Sequence, residues 1–157
     1  MKIIASLRNP ATRAFSHWNM RRKIDREPLD FIDAINADRD RSMEPVPPVE
    51  RRYGYVERSL YAEQIRRVFN HFPREQVMIV KHETLRADYA ATMNEIFDFL
   101  GVPRLSKLKN LARNTARYDR KMTAVERAYV SAICADDIRE VEALLGWNCS
   151  DWLQQNP

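Results

Sequence analysis

Glycine is scarce in this chain: three in 157 residues, at positions 54, 101 and 146. None of them builds a Gly-Lys-Ser/Thr loop of the kind that cradles phosphate, so a nucleotide would have to be held by other means. The two cysteines, Cys134 and Cys149, lack the spacing partners of a zinc site or a redox pair, and two reduced thiols and no metal centre are expected. No uninterrupted apolar run approaches the length of a bilayer crossing, which excludes a transmembrane span and a membrane partner. The patch Ile3-Ile4-Ala5 is followed at once by Arg8 and has no long apolar region, so no export signal is read and a cytoplasmic location is expected. Internal repeats and low-complexity tracts are also missing. What remains is 45% hydrophobic residues in a length suited to one domain, enough for a core.

The formal charge of +4 is small, but it is unevenly placed. Residues 1–27 carry Lys2, Arg8, Arg13, Arg21, Arg22, Lys23 and Arg26 against Asp25 and Glu27. Residues 104–121 carry Arg104, Lys107, Lys109, Arg113, Arg117, Arg120 and Lys121 against Asp119 alone, so the rest of the chain is net acidic. Two basic segments either converge on one polyanion or form solvated faces; charge alone favours the solvated faces.

Lys2 to Leu7 is a short apolar run ending at a turn signal, with Asn9 as a candidate N-cap and Pro10 at the first helical position. This predicts a strand entering a helix, in which Ala11, Ala14, Phe15 and Trp18 recur at helical spacing. A second helix is expected over Pro28 to Ala37, and the charges and prolines of 38–53 predict an irregular loop. Helical periodicity returns from Glu57 through Tyr61, Ile65, Val68 and Phe72, stopping at Pro73. Val77 to Val80 reads as a second buried strand, followed by a polar turn. Asp88 then caps a helix carrying Tyr89, Met93, Ile96, Phe97 and Leu100 that Gly101 and Pro103 end. Residues 104–122 read as a basic loop. Thr123-Ala-Val-Glu126 has the form of a capping box and opens a helix whose apolar residues are Val125, Tyr129, Ala132 and Ile133. A final helix runs from about Asp136 to Leu145 and stops at Gly146, with Trp147 and Trp152 packing the chain end.

Two short strands alternating with helices predict an α/β fold, mostly helical, with two or so parallel strands. Two strands make a poor sheet, so residues 1–157 read as a single but partial domain.

A helix N-terminus offers unpaired N–H groups and partial positive charge, and anions bind there. Arg8, just before the helix, adds a planar fork matched to phosphate, and Ser16, two turns on, adds a hydroxyl. The competing structural reading pairs Arg8 with a carboxylate and turns Ser16 toward a neighbouring helix.

Leu7-Arg8-Asn9-Pro10-x-x-Arg13-Ala14-x-Ser16-x-Trp18 resembles the second cofactor motif of the PAPS-dependent sulfotransferases, especially bacterial members similar to heparan sulfate sulfotransferases. Tyr55 to Gln64 is similar to the family's Arg-Gly-x-Tyr-x-x-Gln helix, Phe72 to Leu85 to its strand and turn, and Phe97-Asp-Phe-Leu-Gly101 to the helix end that follows. Asn114-Thr-Ala-Arg-Tyr118 and Ser150-Asp-Trp152 match the usual tail. The resemblance implies a P-loop-like sulfotransferase fold, with PAPS as sulfuryl donor and no metal. It implies that Arg8 and Ser16 bind the nucleotide's 3′-phosphate. His82 stands where a tyrosine often contacts the adenine, so its ring would stack or hydrogen-bond there; otherwise it is a surface or capping residue. Arg117 and Tyr118 would fall in the loop that closes over the nucleotide, the alternative being a solvated loop.

The family's Gly-Thr-Thr-type 5′-phosphosulfate loop and its catalytic Glu or His base lie upstream of the Arg-Asn-Pro segment, and the sequence holds neither, so a truncated form is expected. The function implied is transfer of a sulfuryl group from PAPS to a hydroxyl or amine of a carbohydrate or small-molecule acceptor. The alternatives are a non-catalytic remnant that binds 3′,5′-ADP or PAPS and, ranked last, a basic helical nucleic-acid binder using Arg13, Arg21, Arg22 and Lys23. This ranking predicts no steeply salt-dependent retention of duplex DNA in a filter-binding titration; a steep dependence would promote the last reading.

Overall fold

The computed structural model describes residues 1–42, 53–109 and 118–153, and these fall into two compact units. The first unit takes Met1–Asn9 and Ile65–Thr115, the second Pro10–Gln64 and Ala116–Pro157.

The first unit is built on two strands, β1 (Ile3–Leu7) and β2 (Val77–Lys81), paired parallel in the register Ile3 to Val77 through Leu7 to Lys81. Helix α3 (Ala62–His71) begins in the second unit and runs into the first, where Ile65 is buried and Arg74 lies over the Phe69 ring at 3.9 Å. A 3₁₀ turn, Arg74–Gln76, leads into β2. The chain then enters α4 (His82–Ala87) directly, and α5 (Tyr89–Leu100) follows; both pack on β2. Asp88 caps α5 as expected, its Oδ1 accepting the Ala91 N–H at 2.9 Å. Gly101 ends it at φ 73°, a left-handed conformation in which a Cβ would be strained.

The second unit is helical: α1 (Pro10–Lys23), α2 (Phe31–Ser42), the 3₁₀ turn Glu57–Ser59, α6 (Ala124–Ile133), α7 (Ala135–Leu145) and α8 (Ser150–Leu153). Phe15 and Trp18 of α1 meet Phe31 of α2, with ring centroids 5.1–5.6 Å apart and edge-to-face or tilted planes. The Trp18 indole N–H finds the Leu29 carbonyl at 3.0 Å, so the ring is buried without an orphaned donor. Cys134 and Cys149 are both buried and not joined in a disulfide, and burial pushes the Cys134 thiol up to about 12, far from reactive thiolate chemistry.

Several expectations need correction. The polar turn after β2 is helix α4, which has no side-chain cap to announce it. Helix α2 starts three residues after Pro28 and continues to Ser42, so 38–42 is helical; residues 43–52 lie outside the described residues. Helix α3 starts at Ala62, with a 3₁₀ turn over Glu57–Ser59 before it. On α6 the apolar residues that mark the helical period are on the outside: Val125, Tyr129 and Ile133 are exposed, whereas Glu126, Val130 and Ser131 are buried. Glu126 is accommodated by hydrogen bonds. It closes the capping box with Thr123 and takes both arms of the Arg120 guanidinium, at 2.8 and 2.5 Å.

Thr123→Ala removes a cap that accepts the Glu126 N–H at 3.2 Å, and is expected to cost about 1 kcal/mol in urea unfolding with an unchanged m-value.

Candidate functional site

In the first unit the register decides what stands together. Leu7 and Lys81 are the last paired residues, so the next residue on each strand, Arg8 and His82, leaves the sheet at the same, carboxyl-terminal edge. This edge is where open α/β sheets bind ligands, because the following helices point their N-termini there. The structure ties the two strand exits with one hydrogen bond: Glu83 Oε1 accepts the backbone N–H of Asn9, itself buried, at 3.0 Å. Glu83 Oε2 is buried without a partner. Burial, and then the nearby Arg8 charge, hold the His82 imidazole below its ordinary value against the opposing pull of Glu83, so the ring is neutral at pH 7.

The second unit holds the other pair. Ser16 is on α1, and the Tyr118 hydroxyl donates to Ser16 Oγ at 2.8 Å. The Tyr118 ring meets Phe15 edge-on at 6.0 Å. Two residues on, the Arg120 guanidinium lies over Phe15 and Trp18, at 5.2 and 4.9 Å from the ring centres, while its fork grips Glu126. Burial alone would raise the Glu126 carboxyl, but the hydrogen bonds from Arg120 and Thr123 outweigh it and hold the group below the usual carboxylate range. The segment carrying Tyr118 is thereby fastened to α1 and α6 of its own unit.

Of the five residues expected at a nucleotide site, the structure thus brings Arg8 and His82 to one strand edge and joins Ser16 to Tyr118; Arg117 lies outside the described residues. Sequence reasoning missed Glu83 and Arg120. Glu83 had only its place next to His82 to mark it, and Arg120 was one basic residue in a basic run. Among the described residues no group of three or more His, Cys, Asp or Glu is placed to hold a metal ion, and no helix is long and apolar enough to cross a membrane.

An α/β unit with an arginine and a neutral histidine at the carboxyl edge of parallel strands is a frame for anionic ligands. The sulfotransferase-domain family model matches residues 1–130, and the chain belongs to that family. It is similar to the solved structure of a sulfotransferase from Alicyclobacillus acidocaldarius, with 29% identity and a TM-score of 0.78 over 98% of this chain and 57% of that one. Among curated proteins it is 28% identical to human bifunctional heparan sulfate N-deacetylase/N-sulfotransferase 3, over 98% of this chain and 20% of the relative. It is 25% identical to mouse heparan sulfate glucosamine 3-O-sulfotransferase 3B1, over 74% of this chain and 28% of the relative. The chain therefore spans about a quarter of the curated relatives' length.

His17, next to Ser16, supplies a pH test of the second unit. Burial first, then the charges of Arg13, Arg58 and Arg21, drive its imidazole down to about 4. The unfolded chain binds a proton near pH 6.5 and the folded one does not, so stability is full above that value and falls as the pH drops toward 4. The expected loss is on the order of 1–2 kcal/mol, below the full shift because the ring is partly exposed and screened. Denaturant melts at pH 7.5 and pH 4.5 should show it, and His17→Phe should flatten that part of the profile.

Proposed function

We propose that this chain holds the 3′-phosphoadenosine end of PAPS and serves a sulfotransferase acting on a carbohydrate acceptor. The observation that carries the reading is that Arg8 and His82 directly follow the last ladder pair, Leu7 with Lys81, at the carboxyl edge of β1 and β2. Arg8 offers a charged fork to phosphate oxygens, and His82 offers a neutral ring that can lie against a base or hydrogen-bond to it. Glu83 supports Arg8 by fixing the Asn9 amide immediately after it. Ser16 joins Arg8 on the same phosphate by the family's motif, in which the two stand eight residues apart. The Tyr118 hydroxyl donates to Ser16 Oγ, so the Ser16 proton is left free to donate outward, and the chain of two hydroxyls strengthens that donation.

When bound, PAPS supplies the sulfuryl group, and its transfer to an acceptor oxygen or nitrogen leaves 3′,5′-ADP. The residues described hold and orient the nucleotide; the acceptor base and the 5′-phosphosulfate contacts have no candidate among them. Heparan sulfate stands in the names of the curated relatives and sets the acceptor class we favour, a glucosamine-containing polysaccharide. A non-catalytic nucleotide-binding role is the second reading.

Calorimetric titration with 3′,5′-ADP is expected to show binding that Arg8→Ala weakens about tenfold or more, the value of a charge-assisted pair. Ser16→Ala and Tyr118→Phe should each lose a smaller factor, roughly three to ten. Equal affinity of the parent and Arg8→Ala would overturn the site. Binding without transfer of labelled sulfate from PAPS to heparan-type acceptors would favour the second reading.

A further inference from the structure

Helix α4 starts straight from β2, with Lys81 as its N-cap and no side-chain cap hydrogen bond. An acid in the first turn of a helix ordinarily serves an N–H of that helix. Glu83, the second residue of α4, instead reaches a backbone group 74 positions away, the Asn9 N–H, at 3.0 Å. Asn9 is 5% exposed, and Pro10, which follows it, has no N–H to offer. A buried backbone donor at this point needs an acceptor, and Glu83 Oε1 is that acceptor.

The bond closes a small ring. Leu7 and Lys81 are the last ladder pair, and Asn9 and Glu83 are joined two residues further on, so one residue lies in each arm between two ties: Arg8 in one, His82 in the other. The backbone at both residues is held from either side, and the separation of guanidinium from imidazole is limited to what their own rotamers allow. Strand exits tied at one end only would splay and carry these side chains with them. Glu83 Oε2 is buried and has no hydrogen-bond partner. An unsatisfied buried carboxylate oxygen is costly to a fold, and such departures gather where function rather than stability sets the residue. Burial is the first influence on the His82 imidazole, and behind it the charges of Arg8 and Glu83 act in opposite directions, so the three groups share one neighbourhood.

We propose that Glu83 is a specificity-determining positioning residue: by closing the ring at Asn9 it fixes the spacing of Arg8 and His82, and so selects a nucleotide by the distance between its phosphate and its base. Glu83 itself touches neither. This selectivity rests on the nucleotide reading above. A nucleotide with its ribose phosphate on the 3′ carbon engages both Arg8 and His82. The isomer with that phosphate on the 2′ carbon has the same atoms and the same charge, and it engages only one of them.

The test is calorimetric titration of the 157-residue chain with 3′,5′-ADP and with 2′,5′-ADP. The parent is expected to favour the 3′ isomer about tenfold or more, the effect of losing one charge-assisted contact. Glu83→Ala should bring that ratio down to within about threefold, because the two groups are no longer preorganised. Glu83→Gln, whose side-chain oxygen still accepts the Asn9 N–H, should keep most of the preference. A role in stability alone lowers the folded fraction and moves both isomers together, leaving the ratio as it was. An unchanged ratio in Glu83→Ala overturns the proposal, and so does a preference lost equally in Glu83→Gln. A parent that binds both isomers alike through Arg8 also overturns it, while the nucleotide reading stands. A parent that binds neither isomer overturns that reading and the selectivity with it. Should Glu83→Ala fail to fold, Glu83→Asp, one methylene shorter, is held to the same criterion.

Discussion

The parallel pairing of two five-residue strands is the constraint on which the proposed nucleotide end depends. Parallel strands present both carboxyl ends at one edge, so a side chain just past β1 and another just past β2 become neighbours although 74 positions separate Arg8 from His82. A slip of one residue would turn the side chains of a strand to the other face and misalign the two exits. The Glu83 contact to Asn9 lies across those exits, beyond the last ladder pair, and resists such a slip with a hydrogen bond between residues remote in sequence.

Carboxylates are used throughout this chain to hold backbone amides. Glu83 holds Asn9; Asp38 holds Gly54 and Val56; Glu27 holds Leu29; Glu142 holds Cys149 at 2.7 Å; Asp88 and Glu126 serve helix starts. These acids lie mostly in the net-acidic remainder of the sequence, and their charge is spent inside the fold. Basic side chains are left over. Some of them find aromatic faces, as Arg120 does on Phe15 and Trp18 and Arg22 does on Trp18. The modest net charge conceals this division of labour.

Local signals made much of the fold legible. Asn9-Pro10, Asp88, Thr123-x-x-Glu126, Gly101 and Gly146 each state a helix boundary within a few residues, and the structure uses them there. Helix α4 escaped because it follows a strand with no polar cap. The buried face of α6 was not legible because its position 126 is a glutamate, and hydropathy cannot foresee the Arg120 fork that makes this burial tolerable. At the candidate site, Arg8 and Ser16 stood out through residue type and spacing. Glu83 acts through one carboxylate oxygen on a backbone group far away in sequence, and nothing in its own surroundings announces that.

Helix α3 has its own lesson. At its start the N–H groups of Tyr61 and Ala62 go to Asp137 in the first turn of α7, at 2.7 and 3.0 Å. While the chain is being made, some 75 further residues must emerge before that carboxylate exists. The beginning of α3 therefore stays frayed on the ribosome however strong its helical period, and it closes only when the last third of the chain has docked within its unit. One aspartate thus sets the order in which the second unit is completed.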